Sequence, residues 1–205
     1  MVEILLMVFI LYFSIVLHEC AHGFVALLRG DSTARDLGRL TLNPIPHIDP
    51  FGTIVLPISF FIFGGVIFAY AKPVPVNPYR LKNPKRDMMW VGAAGPVTNL
   101  LIAFIAAIFI RNMLMPGVAV NEALFYALRY TCMINLCLFL VNLLPVPPLD
   151  GSRILAGILP YSFLPKLHAI EPYGFFILIL LIFAGFFEKV LWPVLQVLYK
   201  LLIGI

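Results

Sequence analysis

Long apolar runs separated by short polar ones set the pattern of this chain. Residues 4–28 form one nearly unbroken apolar stretch, and further stretches cover about 53–70, 88–110, 122–144 and 173–204. Runs of roughly 18 apolar residues or more are long enough to cross a bilayer as a helix. The predicted fold class is therefore an all-α polytopic membrane protein of about five to six membrane segments. Two segments are irregular. The 53–70 run contains Pro57 and the Gly64–Gly65 pair, and the last run is split at Glu188–Lys189 into two short pieces, a hairpin or one kinked span.

The connections carry the breakers. Between Arg29 and Gly52 the stretch RLTLNPIPHIDPFGT excludes a long helix, and a short extended or β element is expected there between the first and second segments. The loop Lys72 to Asp87 is proline-rich and basic. No internal repeat, low-complexity tract or appended soluble domain interrupts the pattern. Residues 1–205 read as a single integral-membrane domain, with a core over about 1–160 and C-terminal membrane segments over about 173–204. The first run lacks a basic start and a small-residue cleavage site, so it is expected to be retained rather than removed as a signal.

Composition agrees with this class. Of 205 residues, 62% are hydrophobic and 12% charged, and the mean hydropathy is +1.02. The net charge of +4 implies no nucleic-acid partner, because the basic residues lie in loops, where they orient membrane segments. Eight of the 14 Lys and Arg residues fall between residues 29 and 87. Positive-inside logic places the loops at 29–52, 72–87 and 145–172 in the cytoplasm and the N-terminus outside. Segment 53–70 must then re-enter rather than cross. Cys20, Cys132 and Cys137 lie within apolar runs and read as small packing residues rather than a disulfide framework. Asp31 and Asp36 alternate with Arg29, Arg35 and Arg39 and read as a solvated interfacial face. Arg129 is expected to snorkel to the outer interface.

The chemistry is concentrated in the first span. His18-Glu19-Cys20-Ala21-His22 is an H-E-x-x-H pattern. On a helix, residues four apart stack one turn above each other, so both imidazoles can reach one zinc ion, with Glu19 beside the first as general base of a hydrolase. Two histidines and a glutamate inside an apolar span are costly to keep without a ligand or partner. A catalytic zinc site needs a third protein ligand. Asp150 is the best candidate: it follows Pro145, Pro147 and Pro148, which hold the chain out of regular helix, and precedes Gly151, which frees the backbone to turn. On local signals alone, Asp150 is also a helix N-cap. His47 and Asp49 lie in a Pro-rich loop where turn chemistry explains both, and His168 and Glu171 read as solvated.

Three motifs together resemble the site-2 protease family, in its compact prokaryotic form without a PDZ or CBS domain. They are His18-Glu19-x-x-His22, Gly95-Pro96-Val97-Thr98-Asn99, and Asn142-Leu-Leu-Pro-Val-Pro-Pro-Leu-Asp150-Gly151. The resemblance covers about residues 1–160. It implies one Zn2+ per chain held by His18, His22 and Asp150, with Glu19 as base. It also implies intramembrane proteolysis of transmembrane protein substrates. The loop charges, with residues 18–22 near the inner end of the first span, place the site in the cell membrane open towards the cytoplasm. Asn142 and Asn99 are candidates for contacting the substrate backbone or an oxyanion; interhelical hydrogen bonding and helix packing are the alternatives. The extended pieces at 40–56 are candidates for pairing with an unwound substrate strand. Two other classes stay open on the residues alone: a metal-binding membrane transporter, and an inactive scaffold that binds membrane proteins.

Overall fold

The computed structural model describes residues 2–49, 52 and 72–204. The expected segment at 53–70, with its re-entrant turn, lies outside the described residues. Helix α1 (Val2–Leu28) is the first apolar run. Helix α2 (Pro84–Met113) begins with Pro84 at its first turn, where the missing N–H costs nothing. Helix α3 (Glu122–Asn142) is capped by the Asn121 side chain, which accepts from Leu124 N. Helix α4 (Asp150–Ile158) is short. A helical run, α5 (Tyr161–Phe183), and helix α6 (Trp192–Ile203) complete the chain.

The fold is an all-α polytopic membrane protein. Four helices among the described residues are long and apolar enough to cross a membrane: α1 from Glu3, α2, α3 and α5. The expected span at 173–204 is divided differently. Apolar residues 174–183 end α5, a π-helical turn at Phe187–Leu191 carries Glu188 and Lys189, and α6 follows.

Helix α2 is the central element and packs against α1, α3, α4 and α6. Its buried residues, Asp87, Val91, Gly92, Gly95, Pro96, Asn99, Ala103, Ala106, Ala107 and Ile110, recur in steps of three or four, in places as adjacent pairs, and form one stripe. The alanines let neighbouring backbones approach closely, as small residues do between membrane helices. With Cys132, Leu136, Leu195 and Ile203 they make the apolar core between α2, α3 and α6. All three cysteines are free thiols.

No strand forms among the described residues between α1 and α2. Residues 40–49 are bends and a 3-10 turn at Ile45–His47. An irregular strap lies later, at residues 72–77, where Pro73 and Pro75 oppose helix. This strap is pinned at both ends. Lys72 N donates to His47 O (2.9 Å), and Arg39 Nη2 donates to Lys72 O (3.0 Å) and Pro73 O (3.3 Å). Further along, Val74 N donates to Glu19 Oε2 (2.8 Å) and Asn77 N to Asp31 Oδ2 (2.6 Å). It crosses α1 at Gly23, where a Cβ would come within 2.9 Å of Val74 Cγ1.

Asp31 therefore corrects a sequence expectation. Asp36 is exposed as expected, but Asp31 is fully buried. Besides Asn77 N it accepts from Thr33 N and Thr33 Oγ1. Burial pushes its carboxyl up, but these donors and the Arg80 charge outweigh that and hold it below the usual carboxylate range. A depressed folded-state value stabilises the fold fully above the unfolded-state value, about 3.9, and the contribution is lost as pH falls through the lower folded-state value. Asp31→Asn is expected to cost about 1–3 kcal/mol at neutral pH. Thermal midpoints in detergent should show the gap from wild type closing below about pH 4.

Candidate metal centre

Three chain segments converge on one point. His18 and His22 are one turn apart on the buried face of α1, with ring centroids 4.6 Å apart. Asp150 is the first residue of α4. Its Oδ2 lies 3.0 Å from His18 Nε2 and 3.2 Å from His22 Nε2, and the two Nε2 atoms are 3.0 Å apart. All three residues are buried, and they form the one cluster of three metal-capable side chains among the described residues.

The N-cap alternative for Asp150 does not hold. Leu149 occupies the cap position, with no side-chain hydrogen bond there. Gly151 also acts differently from its expected role. It lies inside α4 without a positive φ, and a Cβ on it would overlap the carbonyl oxygens of Leu143 and Leu144. Its missing side chain lets α4 start against the end of α3, which brings the carboxylate back to α1.

Hydrogen bonding fixes what the converging atoms are. His22 Nδ1 faces Val91 O at 2.6 Å, and a carbonyl only accepts, so that nitrogen carries the proton. His18 Nδ1 faces Asn99 Oδ1 at 2.6 Å, while Asn99 Nδ2 donates to Asn135 Oδ1. Both Nε2 atoms are consequently bare lone pairs, and Asp150 Oδ2 is buried with no hydrogen-bond donor. Three electron pairs thus face one another within about 3 Å. One added proton on an imidazole would satisfy the carboxylate and leave the other imidazole opposed. A divalent cation satisfies all three at once. The donor set of two imidazole nitrogens and a carboxylate oxygen suits zinc. Gly95 completes the cradle: a Cβ there would come within 2.5 Å of His22 Nε2 and also overlap the His18 ring.

The centre opens into a cavity of about 340 Å³. Glu19, Pro73, Val74, Asn142, Arg153, Phe175 and Leu178 line it together with the three clustered residues. Glu19 points into it, its Oε2 held by the strap at Val74 N. Asn142 also faces it; its Nδ2 spends one hydrogen on Leu138 O (3.0 Å). Asn99 does not face the cavity. It is fully buried, with one end of its amide on His18 and the other on Asn135. His47 and Asp49 are elsewhere, with His47 Nε2 on Thr41 O and Asp49 Oδ1 accepting from Gly52 N. His168 and Glu171 are exposed and pair with each other.

Sequence reasoning missed several wall residues. Arg153 Nη1 lies 3.5 Å from Asp150 Oδ1; its spacing of three from Asp150 on a helix was the available signal. Val74 gave none, because its contribution is a backbone N–H. Phe175 and Leu178 come from α5. The cavity wall thus includes residues beyond about residue 160.

A polytopic helical bundle that gathers two histidines, an aspartate and a glutamate at one cavity fits a membrane metalloprotease. The chain belongs to peptidase family M50, the site-2 protease family, whose family model matches residues 6–184. It is 40% identical over 194 residues to "Putative zinc metalloprotease YwhC" of Bacillus subtilis, covering 93% of this chain and 85% of that one. It is 29% identical over 185 residues to "Putative zinc metalloprotease Rip2" of Mycolicibacterium smegmatis, covering 87% and 69%. With "Zinc metalloprotease MJ0392" of Methanocaldococcus jannaschii the identity is 30% over 151 residues, covering 73% of this chain and 33% of that one. No solved structure matches the chain. The protein is a zinc-dependent membrane protease, and Zn2+ is its cofactor.

Proposed function

We propose that this protein is an endopeptidase that cuts transmembrane helices of other membrane proteins within or near the bilayer, in regulated intramembrane proteolysis. In this reading His18, His22 and Asp150 hold one zinc, Glu19 is the general base, and the cavity beside them receives the substrate. The observation that carries it is the convergence of His18 Nε2, His22 Nε2 and Asp150 Oδ2 within 3.2 Å, all without donors, next to the Glu19 carboxylate. Zinc bound there supplies Lewis-acid chemistry, polarising the scissile carbonyl and acidifying the attacking water. Glu19 takes the proton of that water and delivers it to the leaving amine nitrogen. The Val74 N–H keeps the carboxylate aimed into the cavity. Asn142 offers its second amide hydrogen to the substrate backbone or the developing oxyanion. Arg153 holds the other Asp150 oxygen, which leaves Oδ2 for the metal.

A helical substrate hides its scissile carbonyl in an i→i−4 hydrogen bond, so local unwinding must precede the cut. Helix-breaking residues near the cut site are expected to raise the rate. Orientation follows from charge: the basic loops are cytoplasmic, and the centre is open to that side. At about 1.5 Å rise per residue, His22 lies roughly 9 Å from the helix end at Leu28, within reach of a short wet cavity. Purified protein in sealed vesicles with a single-span substrate tests both points. A membrane-impermeant zinc chelator should stop cleavage when applied to the face bearing the 72–87 loop and not from the other. Equal inhibition from both faces would refute one-sided access. Cleavage confined to water-soluble peptides, with no transmembrane substrate cut, would refute the substrate class.

A further inference from the structure

A chain of buried polar groups runs behind His18 through three helices. His18 Nδ1 donates to Asn99 Oδ1 at 2.6 Å, and Asn99 Nδ2 donates to Asn135 Oδ1 at 2.8 Å. Asn135 Nδ2 donates to Ser14 Oγ and to Thr131 O, each at 2.9 Å, and Ser14 Oγ donates to Ile10 O at 2.8 Å. Asn99 on α2 and Asn135 on α3 are 0% exposed, and Ser14 on α1 is 3% exposed. Four polar side chains thus sit at membrane depth with their hydrogen bonds closed among themselves and onto two carbonyls.

Every bond direction in this chain is forced from its far end. Thr131 O only accepts, so the atom of Asn135 facing it is the amide nitrogen. The Asn135 oxygen then faces Asn99 and must receive a proton, so the Asn99 nitrogen is on that side. That leaves the Asn99 oxygen towards His18, and the proton between them must sit on Nδ1. Any other assignment sets two acceptors or two donors face to face. The consequence reaches the metal: a proton on Nδ1 leaves the Nε2 lone pair free and aimed at Asp150 Oδ2.

We propose that Asn135, braced by Ser14, is a positioning residue of the zinc centre: acting through Asn99, it sets the tautomer and ring orientation of His18. The competing role is interhelical glue, a common use of asparagine in membrane helices. Glue changes the stability of the bundle. A positioning residue changes zinc affinity at unchanged fold, because partners of metal-bound histidines tune the ligand.

The proposal rests on His18 being a zinc ligand. The test uses the intact chain in detergent, stripped of metal, with zinc affinity read by chelator competition and ligand geometry by the absorption spectrum of the Co2+-loaded protein. Asn135→Leu should weaken zinc binding roughly 10–100-fold and alter the cobalt spectrum. Asn135→Asp, as a neutral acid, keeps the acceptor towards Asn99 and one of the two donors, so it loses one bond to Ser14 Oγ or Thr131 O but not the one that orients Asn99, and its zinc affinity should stay within about threefold of wild type. Should Asn135→Leu not fold, Asn135→Ser replaces it with the same expectation. Wild-type zinc affinity in the Leu or Ser variant, with only the melting temperature of the metal-free protein lowered, would overturn the proposal in favour of glue. Equal losses in the Asp and Leu variants would also overturn it. His18→Ala keeps the two readings apart. If it binds zinc like wild type, the ligand assignment fails; if it loses zinc while the Asn135 variants do not, only the positioning role fails.

Discussion

Glu19→Gln is expected to lower peptide hydrolysis by about 10²–10⁴-fold, the range of a lost general base, while zinc stays at one per chain. The substitution changes little else. Gln keeps the length and shape of Glu, and its amide oxygen can still accept from Val74 N, the one bond that ties this side chain to the strap. It leaves untouched the Nε2 atoms and the carboxylate oxygen that form the metal cluster. Zinc content measured on purified protein, beside cleavage of a single-span substrate, checks both halves. Loss of both together would make Glu19 a structural residue. Retention of most activity would move the base elsewhere in the cavity. The same variant separates the other classes that the residues alone leave open: a transporter would keep most of its metal flux, and a scaffold would show no hydrolysis to lose.

The parts of this centre that were legible in the sequence are those written in local chemistry. His18 and His22 are four apart on a helix, so their convergence follows from helix geometry, and their cost in an apolar span points to a ligand. The approach of Asp150 to them was readable only as a candidate, because α4 reaches α1 through the close approach at Gly151 rather than through a turn. Asp31 was misread for a related reason. The nearest charged residue in sequence is Arg29, but the partners of Asp31 are Thr33, two residues on, and the strap residue Asn77, 46 positions away. Asn99 was legible as a residue of interest but not in its role, since only its neighbours decide whether an amide faces a cavity or a histidine. Asn135 carried the same signal as Asn142, a lone amide in an apolar span, and Ser14 sits one turn before His18. Weighing every polar residue in the spans, rather than those in motifs, would have found both. The strap's hold on Glu19 was illegible, because a backbone N–H leaves no mark in the side-chain pattern.

Asp150→Asn carries the other large effect, and it runs in opposite directions for two measurements. In the proposed centre the carboxylate supplies one of three protein donors. Structural zinc sites with four donors bind with about 10–16 kcal/mol, so one donor is worth on the order of 3–4 kcal/mol. Zinc affinity should therefore fall by roughly two to three orders of magnitude, and activity with it at limiting zinc. Among the described residues Glu19 is the other carboxylate on this cavity, and its Oε2 is held by Val74 N, while His47 and Asp49 are committed elsewhere. The metal-free protein should respond in the contrary sense. There Asp150 Oδ2 is a buried oxygen facing two bare imidazole nitrogens with no donor. An amide in its place turns one of those oppositions into an N–H donor, and relief of a buried unsatisfied group is worth about 1–3 kcal/mol. The metal-free Asp150→Asn protein is thus expected to melt above the metal-free wild type, although it binds zinc far more weakly. Melting curves with and without zinc, on both proteins, give the four midpoints needed. A metal-free variant less stable than wild type would mean that the carboxylate serves the fold and that the three lone pairs do not oppose one another in the metal-free protein.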